Sequence, residues 1–297
     1  MIKLMYITND VEVAKIAEKY GVDRIWIDLE VNGKEERQKG MDTVKSKHNI
    51  CDIGKIKPEL NSSKLLVRIN PIYEKTQDEI EQVIKQGADI IMLPYFKTVD
   101  EVQQFVKYVN GRCKTMILVE TPEAVEIIDD ILNIKGIDEV HIGLNDLHLG
   151  YNKKFMFELL TDGTVELLCN KFKEHNISSY GFGGISKIGT GDLPAEDILT
   201  EHYRLGSTTA ILSRSFCNTE KIKNADEIEN IFKNEVKKIR EEEKKISQYT
   251  QEEYKENYKK IEKIVKKIKM ELNKWFFIII IERRINVENS YNRSIKN

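Results

Sequence analysis

Short apolar runs alternate with amphipathic stretches along about the first 220 residues of the chain. The runs cover residues 3–7, 24–29, 64–69, 89–93, 115–119, 139–142, 178–182 and 208–212. Most are apolar throughout rather than alternating, which is the pattern of strands buried on both faces of a parallel sheet. The stretches between them carry helix-start signals. Thr76-x-x-Glu79 and Thr98-x-x-Glu101 match a capping box, and Asn9-x-x-Glu12 nearly does. Thr121 followed by Pro122 reads as an N-cap with proline at the first helical position. Eight runs, each with a helical follower, predict an α/β fold, a (β/α)8 barrel over residues 1–218. No G-x-G-x-x-G follows the first run, which disfavours a doubly wound open sheet.

The pattern changes at Thr219. Glycine and proline vanish, and lysine, glutamate and isoleucine dominate. Ile228, Ile231, Phe232, Val236 and Ile239 fall at helical spacing, as do Tyr258, Ile261, Ile264, Val265 and Ile268. Residues 219–274 are therefore expected to be an amphipathic helical extension that closes the barrel or meets a neighbouring subunit. Residues 275–281 are an apolar run, WFFIIII, too short to span a bilayer. The polar tail 282–297 is expected to be disordered.

Composition adds mostly exclusions. The formal net charge is −2, so there is no electrostatic case for nucleic acid or an anionic membrane. The four cysteines, Cys51, Cys113, Cys169 and Cys217, are scattered with no C-x-x-C pair and read as reduced thiols in a cytoplasm. The start, MIKLMYITND, reads as a first strand rather than a signal peptide.

Candidate chemistry sits where two adjacent runs end. Glu120 follows the run at 115–119, and Asp146 closely follows the run at 139–142. Neighbouring strands lie roughly 5 Å apart, so one divalent cation could bridge the two carboxylates at the edge where parallel α/β enzymes place their chemistry. The plainer alternative is that Glu120 only favours the next helix N-terminus electrostatically.

Several motifs then fall in one order: IDLE at 27–30, LLVRIN at 65–70, GADIIMLP at 87–94, LVETPEAV at 118–125 and IGLNDL at 142–147. Over residues 1–217 the chain resembles the superfamily of class II pyruvate aldolases and citrate lyase beta subunits, the HpcH/HpaI aldolase/citrate lyase family. That resemblance implies a TIM barrel binding Mg2+, Mn2+ or another divalent cation through Glu120 and Asp146, since such ions take oxygen ligands. The ion would hold a pyruvate-like 2-oxo acid and stabilise its enolate. Arg68 would face the same substrate, a guanidinium being suited to carboxylates; its alternative is a structural ion pair. Backbone groups around Leu144, Asn145 and Asp146 would add donors.

The resemblance has gaps. Aldolases of this family carry Asp-x-Glu-His after the second strand, with the histidine as base, and citrate lyase relatives carry Asp-Leu-Glu-Asp. Here Asp28-Leu29-Glu30 is followed by Val31. Asp28 and Glu30 remain as catalytic candidates beside Arg68, as partners of that arginine or of metal-bound waters. His48, on the segment after the second strand, could supply a base from a nearby position, but in a polar stretch it reads first as a surface residue. His148 is a candidate substrate contact, His141 reads as a packed strand residue, and His175 and His202 read as structural. The glycine-rich stretch 180–194 carries Lys187 and is expected to be either a closing loop or a phosphate cradle. Arg214, with Ser213, would reach a distal substrate group. The expected function is a metal-dependent carbon–carbon lyase or aldolase acting on a small 2-oxo acid, as a homo-oligomer. The alternatives are a citrate- or malyl-thioester lyase, and a barrel that binds metal and oxo acid without catalysis.

Overall fold

The computed structural model describes residues 1–33 and 48–294, with 275–294 described by backbone alone. Eight parallel strands close into one barrel in sequence order: β1 Lys3–Ile7, β2 Arg24–Asp28, β3 Lys64–Arg68, β4 Ile90–Leu93, β5 Lys114–Val119, β6 Glu139–Ile142, β7 Tyr180–Ile185 and β8 Thr209–Leu212. β8 pairs with β1 through Lys3↔Thr209, which completes the ring. The (β/α)8 expectation holds.

Local signals held unevenly. Thr98 and Glu101 form the predicted capping box, and Thr121 caps the helix that begins at Pro122. The first helix is capped by Asp10 rather than Asn9, its side chain accepting from the Val13 N–H. Thr76 does not cap. Its hydroxyl accepts from the Tyr73 N–H, and the helix Thr76–Lys85 starts without a side-chain cap.

β7 extends further than its apolar run, into the glycines expected to form a loop. The reason is its neighbour. A Cβ at Gly181 would lie 1.9 Å from the Thr209 carbonyl oxygen, so only glycine permits this approach of β7 to β8. After a register irregularity the ladder resumes at Gly184↔Ile211 and Ile185↔Leu212.

The N-terminal edge of the barrel is clamped by one device used repeatedly. Asp23, just before β2, accepts the Leu4 N–H of β1 at 2.8 Å. Asp89, just before β4, accepts the Leu65 N–H of β3 at 2.7 Å. Asp138, just before β6, accepts the Thr115 N–H of β5 at 2.8 Å. Thr208, just before β8, does the same for the Tyr180 N–H of β7 with its hydroxyl at 3.2 Å. Each odd strand is thereby tied to the following even strand where it enters the barrel, in three cases by a charge-assisted bond.

The interior is lopsided. Met5, Trp26, Leu66, Met92, Met116 and Leu118, from β1 to β5, form a small apolar cluster of their own. The facing strands supply Glu139, His141 and Thr209, all buried. Arg24 on β2 and Glu139 on β6 pair at 2.6 Å and 2.9 Å, with side chains 4% and 1% exposed. In a ring of eight, β2 and β6 stand opposite, so this ion pair crosses the barrel axis.

The extension lies against the barrel. The helix Ala225–Ile246 packs on Val11–Lys19, with Phe232 edge-on to Tyr6 at 5.0 Å between ring centres. Its buried Glu243 accepts the Ile2 N–H at 2.6 Å. The next helix packs on Ala195–Leu205 and on Glu158–Thr161, with Lys260–Asp197 at 2.6 Å and Lys269–Glu158 at 2.7 Å. It runs Gln251–Ser294, with the backbone helical through the apolar run and into the tail, and 295–297 lie outside the described residues. No glycine or proline after Thr219 interrupts it. Among the described residues, no helix is long and apolar enough to cross a membrane.

The buried pair generates a stability prediction. Glu139→Gln leaves Arg24 charged and buried without its counter-ion, a loss of about 3–5 kcal/mol. Arg24→Met combined with Glu139→Leu removes both charges and recovers most of that loss. Urea denaturation midpoints of the two variants check it; equal destabilisation would show that the unpaired buried charge is not the source of the loss.

Candidate active site

The C-terminal mouth gathers charge from the ends of β2, β3, β5 and β6. Asp28 ends β2 and Arg68 ends β3, paired in register. Strand alternation puts both on the side of Trp26 and Leu66, and the Arg68 guanidinium lies 5.3 Å from the Trp26 ring centre. Arg68 donates from Nε to Asp28 Oδ1 at 2.8 Å and from Nη2 to Asp28 Oδ2 at 2.9 Å, a bidentate pair. Its Nη1 lies 3.2 Å from Glu30 Oε2. Burial alone would lower the arginine pKa, but the charges of Asp28, Glu30 and Glu120 outweigh it and raise it. The structural ion pair weighed for Arg68 is thus present, and it sits within the field of Glu120.

Glu120 follows β5 and is 3% exposed. Its Oε1 accepts the Tyr95 N–H at 3.0 Å, from the residue after Pro94 at the end of the neighbouring strand. The carboxylate rests against Gly143, where a Cβ would meet Glu120 Oε2 at 2.7 Å. A larger residue at 143 would displace the carboxylate. Asp146, also buried, follows in the helix Leu144–Gly150, which starts at Gly143 without a side-chain cap. The two predicted metal carboxylates therefore arise from adjacent strand ends. Among the described residues there is no group of three or more His, Cys, Asp or Glu side chains disposed to hold a metal. Protein ligation would rest on two carboxylates, a number suited to a cation that keeps several waters.

Two residues enter the site that the sequence reading passed over or set aside. Asn70 accepts the N–H groups of Val31 and Asn32 at 2.9 Å and 3.0 Å, and donates to Glu79 at 2.8 Å. It sets the backbone where the family histidine would stand. Its position two residues after Arg68 was the available signal. His48, read as a surface residue, is half-buried, and its Nδ1 accepts the Asp28 N–H at 3.0 Å. In the neutral ring the proton is therefore on Nε2. Nothing local in KSKHNI announces this contact, which comes from the chain returning to β2.

The remaining candidates are placed less centrally. Leu144 is buried and Asn145 half-buried, with Asn145 Nδ2 3.5 Å from Asp146 Oδ1. His148 is buried and its Nδ1 turns back to the Leu144 carbonyl at 3.2 Å, with burial lowering its pKa. Lys187 is half-buried just after β7, and Arg214 is exposed just after β8. The glycine-rich segment is internally tied: Ser186 Oγ donates to the Thr190 carbonyl at 2.9 Å, and the Gly189 N–H donates to Glu196 at 2.8 Å. A backbone donor that a phosphate cradle would use is already given to a carboxylate.

Two further buried histidines, His141 on β6 and His202 on the helix Ala195–Leu205, are structural. His141 lies 3.3 Å from the Gly183 carbonyl and 3.4 Å from Thr209 Oγ1. His202 stacks on Phe182 at 3.9 Å with its Nδ1 2.7 Å from Ser207 Oγ. Burial pushes His141 down to about 4 and His202 down to about 3.

Folding keeps these two rings neutral while the unfolded chain protonates them near their ordinary values. Their contribution is therefore intact above about pH 6.5 and falls as pH drops toward 4, by up to about 1.4 kcal/mol per pH unit for each ring. Replacing His202 by Gln should shrink the stability difference between pH 7.5 and pH 5 by about 2 kcal/mol, measured by urea denaturation at both pH values. An unchanged difference would mean that His202 is not buried neutral.

Comparison with known proteins bears on this site. The family model for HpcH/HpaI aldolase/citrate lyase matches residues 4–160. Among solved structures, an HpcH/HpaI aldolase from Desulfitobacterium hafniense DCB-2 superposes with a TM-score of 0.53 at 16% identity, covering 71% of this chain and 86% of that one. An HpcH/HpaI aldolase/citrate lyase family protein from Burkholderia cenocepacia J2315 gives 0.57 at 12% identity, covering 76% and 94%. The citrate synthase SbnG gives 0.53 at 17%, covering 71% and 85%. At these identities the superpositions speak for the fold. No curated protein matches the chain in sequence.

Proposed function

The chain belongs to the HpcH/HpaI aldolase/citrate lyase family, and from that premise we propose that it is a divalent-metal-dependent carbon–carbon lyase acting on a 2-oxo acid. The observation that carries this reading is Arg68, held by Asp28 and Glu30 within the field of Glu120 at the barrel mouth. Glu120 and Asp146 would hold the cation; both are buried and offer the oxygen donors that Mg2+ or Mn2+ takes. When bound, such an ion draws electron density from a keto oxygen and stabilises enolate charge.

The chain's own side chains do the positioning. Arg68 keeps its charge, and its bidentate grip on Asp28 fixes the plane of the guanidinium before a substrate carboxylate arrives. The first-turn N–H groups of the helix Leu144–Gly150 receive no side-chain cap and would add donors to the same carboxylate. Asn70 keeps Val31 and Asn32 at the rim. Residue 31 cannot move a proton here. His48, with Nδ1 engaged by the Asp28 N–H, holds its proton at Nε2 and would serve as a donor rather than as a base at Nδ1.

One observation favours a second reading, a barrel that binds metal and oxo acid without turnover: Val31 is a 57% exposed apolar residue where the family carries an acid–base group. Measured retro-aldol turnover of a 4-hydroxy-2-oxo acid separates the two.

Calorimetric titration with Mn2+ tests the metal assignment. Glu120→Gln and Asp146→Asn keep shape and lose charge, so each should weaken affinity by about tenfold or more, equivalent to about 1.4 kcal/mol. Equal affinity in wild type and both variants would sink the assignment.

Arg68→Lys keeps the charge and loses the fork. It should lower kcat/KM by roughly 100-fold, about 2.7 kcal/mol of transition-state stabilisation, with Mn2+ affinity and melting temperature almost unchanged. A variant that melts many degrees lower but turns over normally would make Arg68 purely structural.

A further inference from the structure

At the N-terminal mouth, the opposite end of the barrel from the candidate active site, lies a cavity of about 760 Å3. That is within the range of small-molecule pockets, roughly 300–1,000 Å3. Its lining includes Lys3, Lys64 and Lys114, the first residues of β1, β3 and β5. All three are exposed. The buried Arg24–Glu139 pair also contributes to the lining, and Ile90 and Val106 supply apolar wall.

Four carboxylates, Asp23, Asp89, Asp138 and Glu139, line the same cavity, and each is already engaged. Asp23 accepts the Leu4 N–H and pairs with Arg240 at 3.2 Å. Asp89 accepts the Leu65 N–H and pairs with Lys57 at 2.6 Å. Glu139 lies 3.6 Å from Lys114 but is held more closely by Arg24. Asp138 accepts the Thr115 N–H. Lys3 and Lys64 have no carboxylate within ion-pair distance among the described residues.

Residues on this face of such barrels ordinarily serve stability, but among the described residues Lys3 and Lys64 have no ion-pair partner through which to do so. Their strands alternate around the ring, so neighbouring lysine positions are about 10 Å apart, twice the strand spacing. Three ammonium groups on flexible stems spread over that distance suit a molecule carrying several anionic groups better than one small anion, which could meet only some of them. We infer that this cavity binds a small organic polyanion, with two or three phosphate or carboxylate groups taken by Lys3, Lys64 and Lys114. The inference is independent of the chemistry at the opposite mouth.

Calorimetric titration of the full chain with inorganic tripolyphosphate, at low ionic strength and without divalent cations, tests it. Wild type, Lys3→Arg/Lys64→Arg and the surface control Lys238→Gln should each bind one equivalent with similar affinity. Lys3→Gln/Lys64→Gln should bind about tenfold or more weakly, with its melting temperature unchanged. No saturable binding to wild type overturns the inference, as does equal affinity in the glutamine double variant.

Discussion

Closure of the ladder between β8 and β1 is the constraint on which both mouths depend. A parallel ring of eight short strands leaves no free edge, but each strand is only four to six residues long. So few rungs make the strand ends decisive. At the N-terminal edge the ends are held by Asp23, Asp89, Asp138 and Thr208, each reaching back to the preceding strand. Between β7 and β8 closure depends on the absence of a side chain at Gly181. The first strand is held from outside as well, by Glu243 on the Ile2 N–H and Arg240 on the Ile2 carbonyl at 2.7 Å. The helical extension thus reinforces the strand at which the ring begins.

Closure also decides where charge can be kept. An ion pair across the axis would be costly in a purely apolar interior, because two ions lose water. Arg24 and Glu139 meet near the N-terminal mouth, with Lys114 close by, and not in the Met and Trp layer above them. At the other mouth the charges are arranged differently. Asp28 and Arg68 are register partners on adjacent strands, so they meet without any loop to position them. Glu120 is set one residue beyond its strand and is oriented by a backbone donor from the next one. Such support from rigid strand ends keeps a guanidinium and several carboxylates within a narrow geometry, as the proposed chemistry would require.

The polar half of the interior has a separate consequence. His141 and His202 are buried against β7, one 3.3 Å from the Gly183 carbonyl and the other stacked on Phe182. Their lowered basicity belongs to the packing of the barrel wall. Neither ring touches the carboxylates of the mouth, so the depressed pKa values mark acid sensitivity of the fold and not an acid–base pair.

Much of this protein was determined by its sequence alone. Apolar runs of strand length, each followed by a helical pattern, specify a parallel α/β sheet, and eight such units favour a closed barrel. The motifs at Asp28, Arg68, Glu120 and Asp146 name the mouth because each stands at or just past a strand end. Other features required the tertiary structure. The glycines of 181–184 look like a loop until β8 is laid beside them. Asp23, Asp89 and Asp138 look like ordinary turn residues until the preceding strand presents its N–H. His48 and Asn70 look unremarkable until the chain brings one to the Asp28 backbone and the other to Val31. The helix Gln251–Ser294 continues past the amphipathic spacing with no glycine or proline to interrupt it. The division has one physical cause. Periodicity and caps are local and written within a few residues, whereas a close approach, a borrowed acceptor or a crossing ion pair depends on which distant segment arrives beside it.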